Sequence, residues 1–235
     1  MDARDVKTAA DARAIVEGRG LTHVKVGVFD ADGVMRGKYM SREKFFSALD
    51  KGFGFCDVVL GWDSNDQLYD NVSFTGWHTA YPDAMARIVP STCRDVPFED
   101  GMLLFIAEFE GAAEAICPRG VLRRVLKRAA DSGYKVNASA EFEFFVFDET
   151  PDSVRAKGYR NLKNITPGFF GYSVLRSSVH ADFYAELLAL CEKMRFPLEG
   201  LHTETGPGVL EAEGLRIEPE RAGQVAGVHA DLDRR

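Results

Sequence analysis

No apolar stretch in the 235 residues is long enough to span a bilayer, which argues against a membrane helix. The opening Met1-Asp2-Ala3-Arg4-Asp5 lacks the apolar core of a secretory signal. Cysteine is scarce. Cys56, Cys93, Cys117 and Cys191 lie far apart and show no zinc-ligand spacing, so they read as reduced, structural thiols of a cytoplasmic protein. Positive charge is in deficit, with 29 Lys and Arg against 36 Asp and Glu. There is no dense basic cluster interleaved with aromatics, which argues against nucleic acid as a partner. Arg119, Arg123, Arg124, Lys127 and Arg128 alternate with Val121, Leu122, Val125 and Leu126, and read as the wet face of an amphipathic helix. Internal repeats and low-complexity segments are also missing. The remaining composition, 46% hydrophobic and 28% charged, is that of an ordinary globular protein.

Against this background two short stretches stand out. The first is Glu141-Phe142-Glu143, inside the aromatic run Ala140 to Asp148. Its residue types favour a strand, and a strand turns Glu141 and Glu143 to one face and Phe142 to the other. The second is His202-Thr203-Glu204, followed by Gly206-Pro207-Gly208 and Glu211. A single Glu-x-Glu in a strand is commonly a solvated edge. Two such pairs, with a Gly-Pro-Gly turn returning a further acid, call for a cation, because carboxylates gathered on one apolar scaffold are costly alone. Oxygen donors with one imidazole suit Mg²⁺ or Mn²⁺ better than a thiol-seeking metal.

These segments resemble the glutamine synthetase family. Ala140 to Asp148 is similar to its first metal-binding strand, and Glu199 to Glu211 to its second metal-binding segment. Pro118 to Arg124, continuing to Gly133-Tyr134, resembles the helix that opens the catalytic domain. Gly171-Tyr172-Ser173 resembles the Gly-Tyr segment near the nucleotide. Upstream, Val26 to Lys38 resembles the opening hairpin of the N-terminal domain, and Gly76-Trp77 through Tyr81-Pro82-Asp83 its acidic loop. The resemblance covers about residues 20 to 212. It implies an ATP-dependent ligase that phosphorylates the γ-carboxylate of glutamate and forms a γ-glutamyl amide with ammonia or an amine, using Mg²⁺ or Mn²⁺. It further implies that Glu143, Glu204 and Glu211 hold one metal, that Glu141 binds a second, and that Glu199 and Tyr172 lie near ATP. Asp83 would serve the incoming ammonium in a neighbouring subunit's site, and His202 would stand beside the ligands. The family also implies a ring-shaped homo-oligomer. Thr203, Thr205 and Gly-Pro-Gly-Val-Leu depart from housekeeping wording and point to a relative acting on another amine or acid.

Organisation follows from punctuation and period. Residues 22–30 and 33–40 read as strands around the turn Ala31-Asp32-Gly33. Ser41 reads as the cap of a helix running to about Leu49. Residues 103–109 read as a strand, 118–132 as a helix, 134–147 as one strand and 178–195 as one helix. The expectation is an α+β chain: a β-grasp-like domain over 1–115, an incomplete half-barrel catalytic domain over 116–212, and a non-family tail over 213–235. That tail reads as an out-of-frame or truncated end, or alternatively as a short divergent helix. It carries none of the later histidine, glutamate and arginines the family implies, so the chain alone is expected to be inactive and prone to aggregate. Two other readings remain: a non-catalytic subunit that assembles with a full-length paralogue, and a metal-binding domain of unrelated function.

Overall fold

A computed structural model describes residues 1–214 and the backbone of 229–234. The described residues fall into two compact units, one over Met1–Val136 and one beginning at Asn137.

The first unit is built on a five-stranded mixed sheet. Its strands are β1 (His23–Phe29), β2 (Met35–Ser41), β3 (Phe53–Cys56), β4 (Asp83–Asp95) and β5 (Leu103–Phe109), in the spatial order β2-β1-β5-β4-β3. Only β1 and β5 run parallel; the other neighbours are antiparallel. Alternation explains β1, where Val24, Val26 and Val28 are buried. Helices α1 (Ala9–Gly18) and α2 (Arg42–Lys51) contribute Ala12, Ile15 and Val16, and Phe45, Ala48 and Leu49, to the same core. Phe45 packs on Phe105 with ring centroids 4.7 Å apart. Ser41 caps α2 as expected, its hydroxyl accepting from the Lys44 amide. The sequence reading had no counterpart for α1 or β4. The first carries a reciprocal Thr8–Asp11 capping box, a local signal that was there to be used.

The β1–β2 turn is organised by Asp30, which is fully buried. Its carboxylate accepts from the amides of Asp32 (3.0 Å) and Val34 (2.8 Å) and from Arg36 Nε (2.7 Å). Arg36 also pairs with Asp66 and lies over the Trp62 ring.

Helix α3 (Pro118–Asp131) packs in the first unit, where Arg119 and Arg123 pair with Glu108 of β5. Burial works against ionisation of Glu108, but the two guanidinium groups outweigh it and hold its carboxyl below the usual range. This corrects the wet-face reading for Arg119, which is largely buried in an ion pair, whereas Val121 and Val125 are exposed.

The single strand expected over 134–147 is two, and the first of them crosses the division between Val136 and Asn137. β6 (Tyr134–Ser139) and β7 (Glu141–Phe145) belong to different sheets, and β6 pairs instead with β10 (His229–Arg234). Ala140, between them, is buried, and its carbonyl accepts from the Gly214 amide. The β7 sheet has the order β7-β9-β8, all antiparallel, with β8 (Leu198–Thr203) and β9 (Val209–Gly214). A short helix α4 (Pro151–Ala156) follows β7. The helix expected over 178–195 breaks at His180 into α5 (Val174–Val179) and α6 (Ala181–Lys193), both against β8. β9 runs through Glu213 and Gly214; residues 215–228 of the expected tail lie outside the described residues.

Candidate functional site

Register places the acids. Across the three strands Glu143 stands opposite Glu211, and Glu211 opposite His202, while Glu141 stands opposite Glu213. Directly opposed residues in an antiparallel sheet share a face, so one side of the sheet carries Glu141, Glu143, His202, Glu211 and Glu213. The other carries Phe142, Phe144, Leu201, Thr203, Leu210 and Ala212, of which the last four residues of β8 and β9 are largely or wholly buried. Phe142 meets Phe196 edge-on at 5.5 Å. The i, i+2 spacing thus does what strand geometry requires of it.

The turn after β8 returns the chain without losing this alignment. The Glu204 amide bonds the Val209 carbonyl (2.9 Å). Gly208 has φ +74°, and a Cβ there would lie 2.8 Å from the Val146 carbonyl oxygen, so glycine is required. Its amide donates to Thr166 Oγ1 (2.9 Å). The result brings one donor atom each from His202, Glu204 and Glu211 within 4.8 Å of one another. His202 Nε2 is buried, has no hydrogen-bond partner, and lies 3.6 Å from Glu211 Oε2. Burial raises the Glu211 carboxyl above the usual range; the His202 imidazole opposes this, and Glu141, Glu204 and Glu143 add to it. Crowded carboxylates and an unpartnered imidazole nitrogen fit a divalent cation held by oxygen with one nitrogen.

Tyr172 lies beside this group. Its ring is stacked on His202, with centroids 4.5 Å apart and planes 12° from parallel. The phenol is pushed up, first by the Glu204 charge, then by burial and by Glu211 and Glu213. Glu199 falls in the β8 bulge between Leu198 and Gly200 and is exposed, outside the His202–Glu204–Glu211 group. Asp83 belongs to the first unit, where it is exposed and opens β4 opposite Cys56. The backbone enters it through left-handed Ala80 (φ +57°) and Tyr81 (φ +50°). Gly54 leaves the room it needs, since a Cβ there would come within 2.6 Å of Asp83 Oδ2. The residue that sequence reasoning missed is Glu213. Its signal is the same i, i+2 spacing from Glu211, masked by its place at the start of the expected tail.

This arrangement defines a sheet-borne, acid-rich centre. Residues 115–220 match the family described as glutamine synthetase, catalytic domain, a span that contains every acid of this centre and not Asp83. Type-1 glutamine synthetase 2 of Dictyostelium discoideum is 45% identical over 192 residues, covering 80% of this chain and 37% of that protein. Glutamate–isopropylamine ligase of a Pseudomonas species is 31% identical over 216 residues, covering 90% of this chain and 47% of the relative. A solved GmaS/ADP complex has the same fold, with a TM-score of 0.69 at 18% identity over 94% of this chain and 51% of that one. The chain belongs to the glutamine synthetase family and spans less than half the length of these curated relatives. Its fold is the family's mixed α/β architecture with a curled half-barrel sheet.

Proposed function

We propose that the chain carries the metal-binding half of an ATP-dependent carboxylate–amine ligase that joins glutamate to ammonia or an amine. The carrying observation is the convergence of His202, Glu204 and Glu211 on one face of a sheet whose neighbouring positions add Glu143, Glu141 and Glu213. Glu143, Glu204 and Glu211 would hold one Mg²⁺ or Mn²⁺ and Glu141 a second. Such ions, when bound, neutralise phosphate charge and polarise the oxygens that gain charge during phosphoryl transfer. The chain's own residues do the rest: β7, β8 and β9 fix the donor atoms, and the buried apolar face beneath keeps the strands in register. Glu199 and Tyr172 would lie on the ATP side. Asp83, an exposed carboxylate, would receive a proton from an incoming ammonium group in a neighbouring subunit of a homo-oligomer. The names of the relatives divide between glutamine synthetases and ligases of larger amines, among them glutamate–isopropylamine ligase and γ-glutamylputrescine synthetase, so ammonia and another amine both fit.

Calorimetric titration of the purified chain with Mn²⁺ tests the metal centre. Saturable binding that disappears in Glu204→Ala and Glu211→Ala, with unchanged melting, is the expected outcome; undiminished binding in both variants would remove the assignment.

A further inference from the structure

We propose that the first unit carries a binding site of its own, a cleft at one end of its sheet that takes a small planar aromatic carboxylate. The cleft has a volume of about 400 Å³ and is lined by Leu21, Thr22, His23, Tyr39 and Met102. Small-molecule sites fall in the range of about 300–1,000 Å³. The cleft shares no residue with the acid-bearing β7-β9-β8 sheet, and the inference does not depend on the metal-binding reading.

Local chemistry builds the walls. Helix α1 ends with the Gly20 amide (φ +65°) donating to the Glu17 carbonyl (2.9 Å) and the Leu21 amide to that of Val16 (3.1 Å), which turns Leu21 off the helix and into the wall. Alternation along β1 sends Val24, Val26 and Val28 to the core, so His23 and Lys25 stand on the other face, with Tyr39 of β2 directly opposite Lys25. The loop from Val96 to Met102 supplies the far wall and is closed by the Val96 amide on the Met102 carbonyl (3.0 Å). Two clasps tie it down. Glu99 pairs with Lys25 and accepts from the Tyr39 hydroxyl (2.6 Å). Arg19 Nη1 pairs with Asp95 (2.6 Å) and donates to the Gly101 carbonyl (3.3 Å). The cleft is thus held in shape without a ligand, which lowers the ordering cost of binding one.

The lining selects the ligand. Leu21, Met102 and the half-exposed Tyr39 ring offer apolar surface for a flat ring, and the polarizable Met102 sulfur favours an aromatic one. The Lys25 ammonium already stands over the Tyr39 ring at 4.9 Å, so a cationic ligand on that ring would be repelled. No lining residue is acidic, and the charge of Glu99 beside Tyr39 is met by Lys25. The polar end is the Thr22–His23 pair, with His23 Nδ1 3.1 Å from Thr22 Oγ1. If Nδ1 accepts, Nε2 carries the proton and donates; if Nδ1 donates, the threonine hydroxyl keeps its own proton to give. Either arrangement leaves the pair one donor for a carboxylate, and a protonated imidazole strengthens that bond. An apolar slot with a donor at one end and no acid in its lining matches an aromatic acid and rejects an amine.

The test is titration of the full chain with 2-naphthoate, followed by nuclear magnetic resonance of methionine methyl groups labelled with carbon-13, the Met102 signal being assigned through Met102→Leu. A saturable shift of the Met102 methyl is expected. The neutral isostere 2-naphthylmethanol and the ring-free acid acetate should each bind at least about tenfold more weakly, because each lacks one half of the recognition. His23→Ala and Tyr39→Leu, with melting unchanged, should each weaken 2-naphthoate about tenfold, whereas Tyr39→Phe, which keeps the ring, should bind as the wild type does. A Met102 methyl that does not shift would overturn the site. Equal binding of 2-naphthylmethanol would overturn the carboxylate class. Undiminished binding in both His23→Ala and Tyr39→Leu would show that the acid binds elsewhere and would overturn the assignment to this cleft.

Discussion

Asp30 shows how much one side chain can hold. Its buried carboxylate receives two backbone amides of its own turn and the Nε of Arg36, so removing it strands three donors at once. Asp30→Ala should therefore lower stability by about 3 kcal/mol, read as a fall in the urea midpoint, and Asp30→Asn by less because its oxygen still accepts. A midpoint unchanged in the alanine variant would show that Arg36 finds full compensation in Asp66. The sequence shows the turn, through Asp32-Gly33, but not the burial of Asp30, whose partner Arg36 is held in turn by the distant Trp62 and Asp66. The same contrast runs through the site. That Glu141, Glu143 and Glu211 share one face is legible, because strand alternation is a local rule and the shared face needs only the register of neighbouring strands. The stack of Tyr172 on His202 is not legible, because thirty residues separate them and a left-handed tyrosine has no sequence signal.

Among the elements, the segment between β7 and α5 is clasped by Glu149. Its carboxylate accepts from Lys157 at the end of α4, from Ser153 within it, and from the Lys163 amide (2.7 Å). The Lys157 ammonium foremost, then Ser153 and the amide, hold this carboxyl down at about 2, against an ordinary value of 4.5. A depressed carboxylate contributes stability that is complete above its unfolded value and is lost as pH falls through its folded one. The clasp should weaken between pH 4.5 and about 2. Over that window the wild type should lose more stability than Glu149→Gln, measured by urea unfolding at successive pH values; identical slopes would count against the clasp. Element boundaries are clearest in α2, which Ser41 caps, and in β5, a compact apolar run. They were misread at Ala140 and His180. No glycine or proline punctuates the chain at Ala140, where the sheet changes, and apolar spacing continues through the α5–α6 break.

On the scale of the whole molecule, apolar surface is unevenly covered. Val174, Leu175 and Val179 on α5 are 78, 75 and 67% exposed, and Phe169 just before them is 62% exposed. Within the first unit, Val121 and Val125 of α3 are exposed as well. Clusters of this kind mark contact surfaces or association-prone ones. The purified chain should self-associate at micromolar concentration, and replacing Val174, Leu175 and Val179 together by serine should reduce the mass measured by light scattering. A monodisperse monomer in the parent chain would show that these side chains find cover. Composition gave no warning of this, since hydrophobic content is ordinary and only the placement of the residues is unusual.

The opposed faces of the β7-β9-β8 sheet set a rule for how this chain can change. Glu211 and Leu210 are neighbours in sequence but face opposite ways, one toward the acids and one into the apolar layer. Inserting or deleting a single residue inside β9 would exchange those destinations along part of the strand, sending a carboxylate into the core and a leucine among the donors. Substitutions can accumulate one at a time at these positions, whereas length cannot. Lineages that preserve the centre should therefore vary in length only at the turns, such as Thr205 to Gly208, and keep an unchanged count of residues between Glu141 and Glu143 and between Glu211 and Glu213.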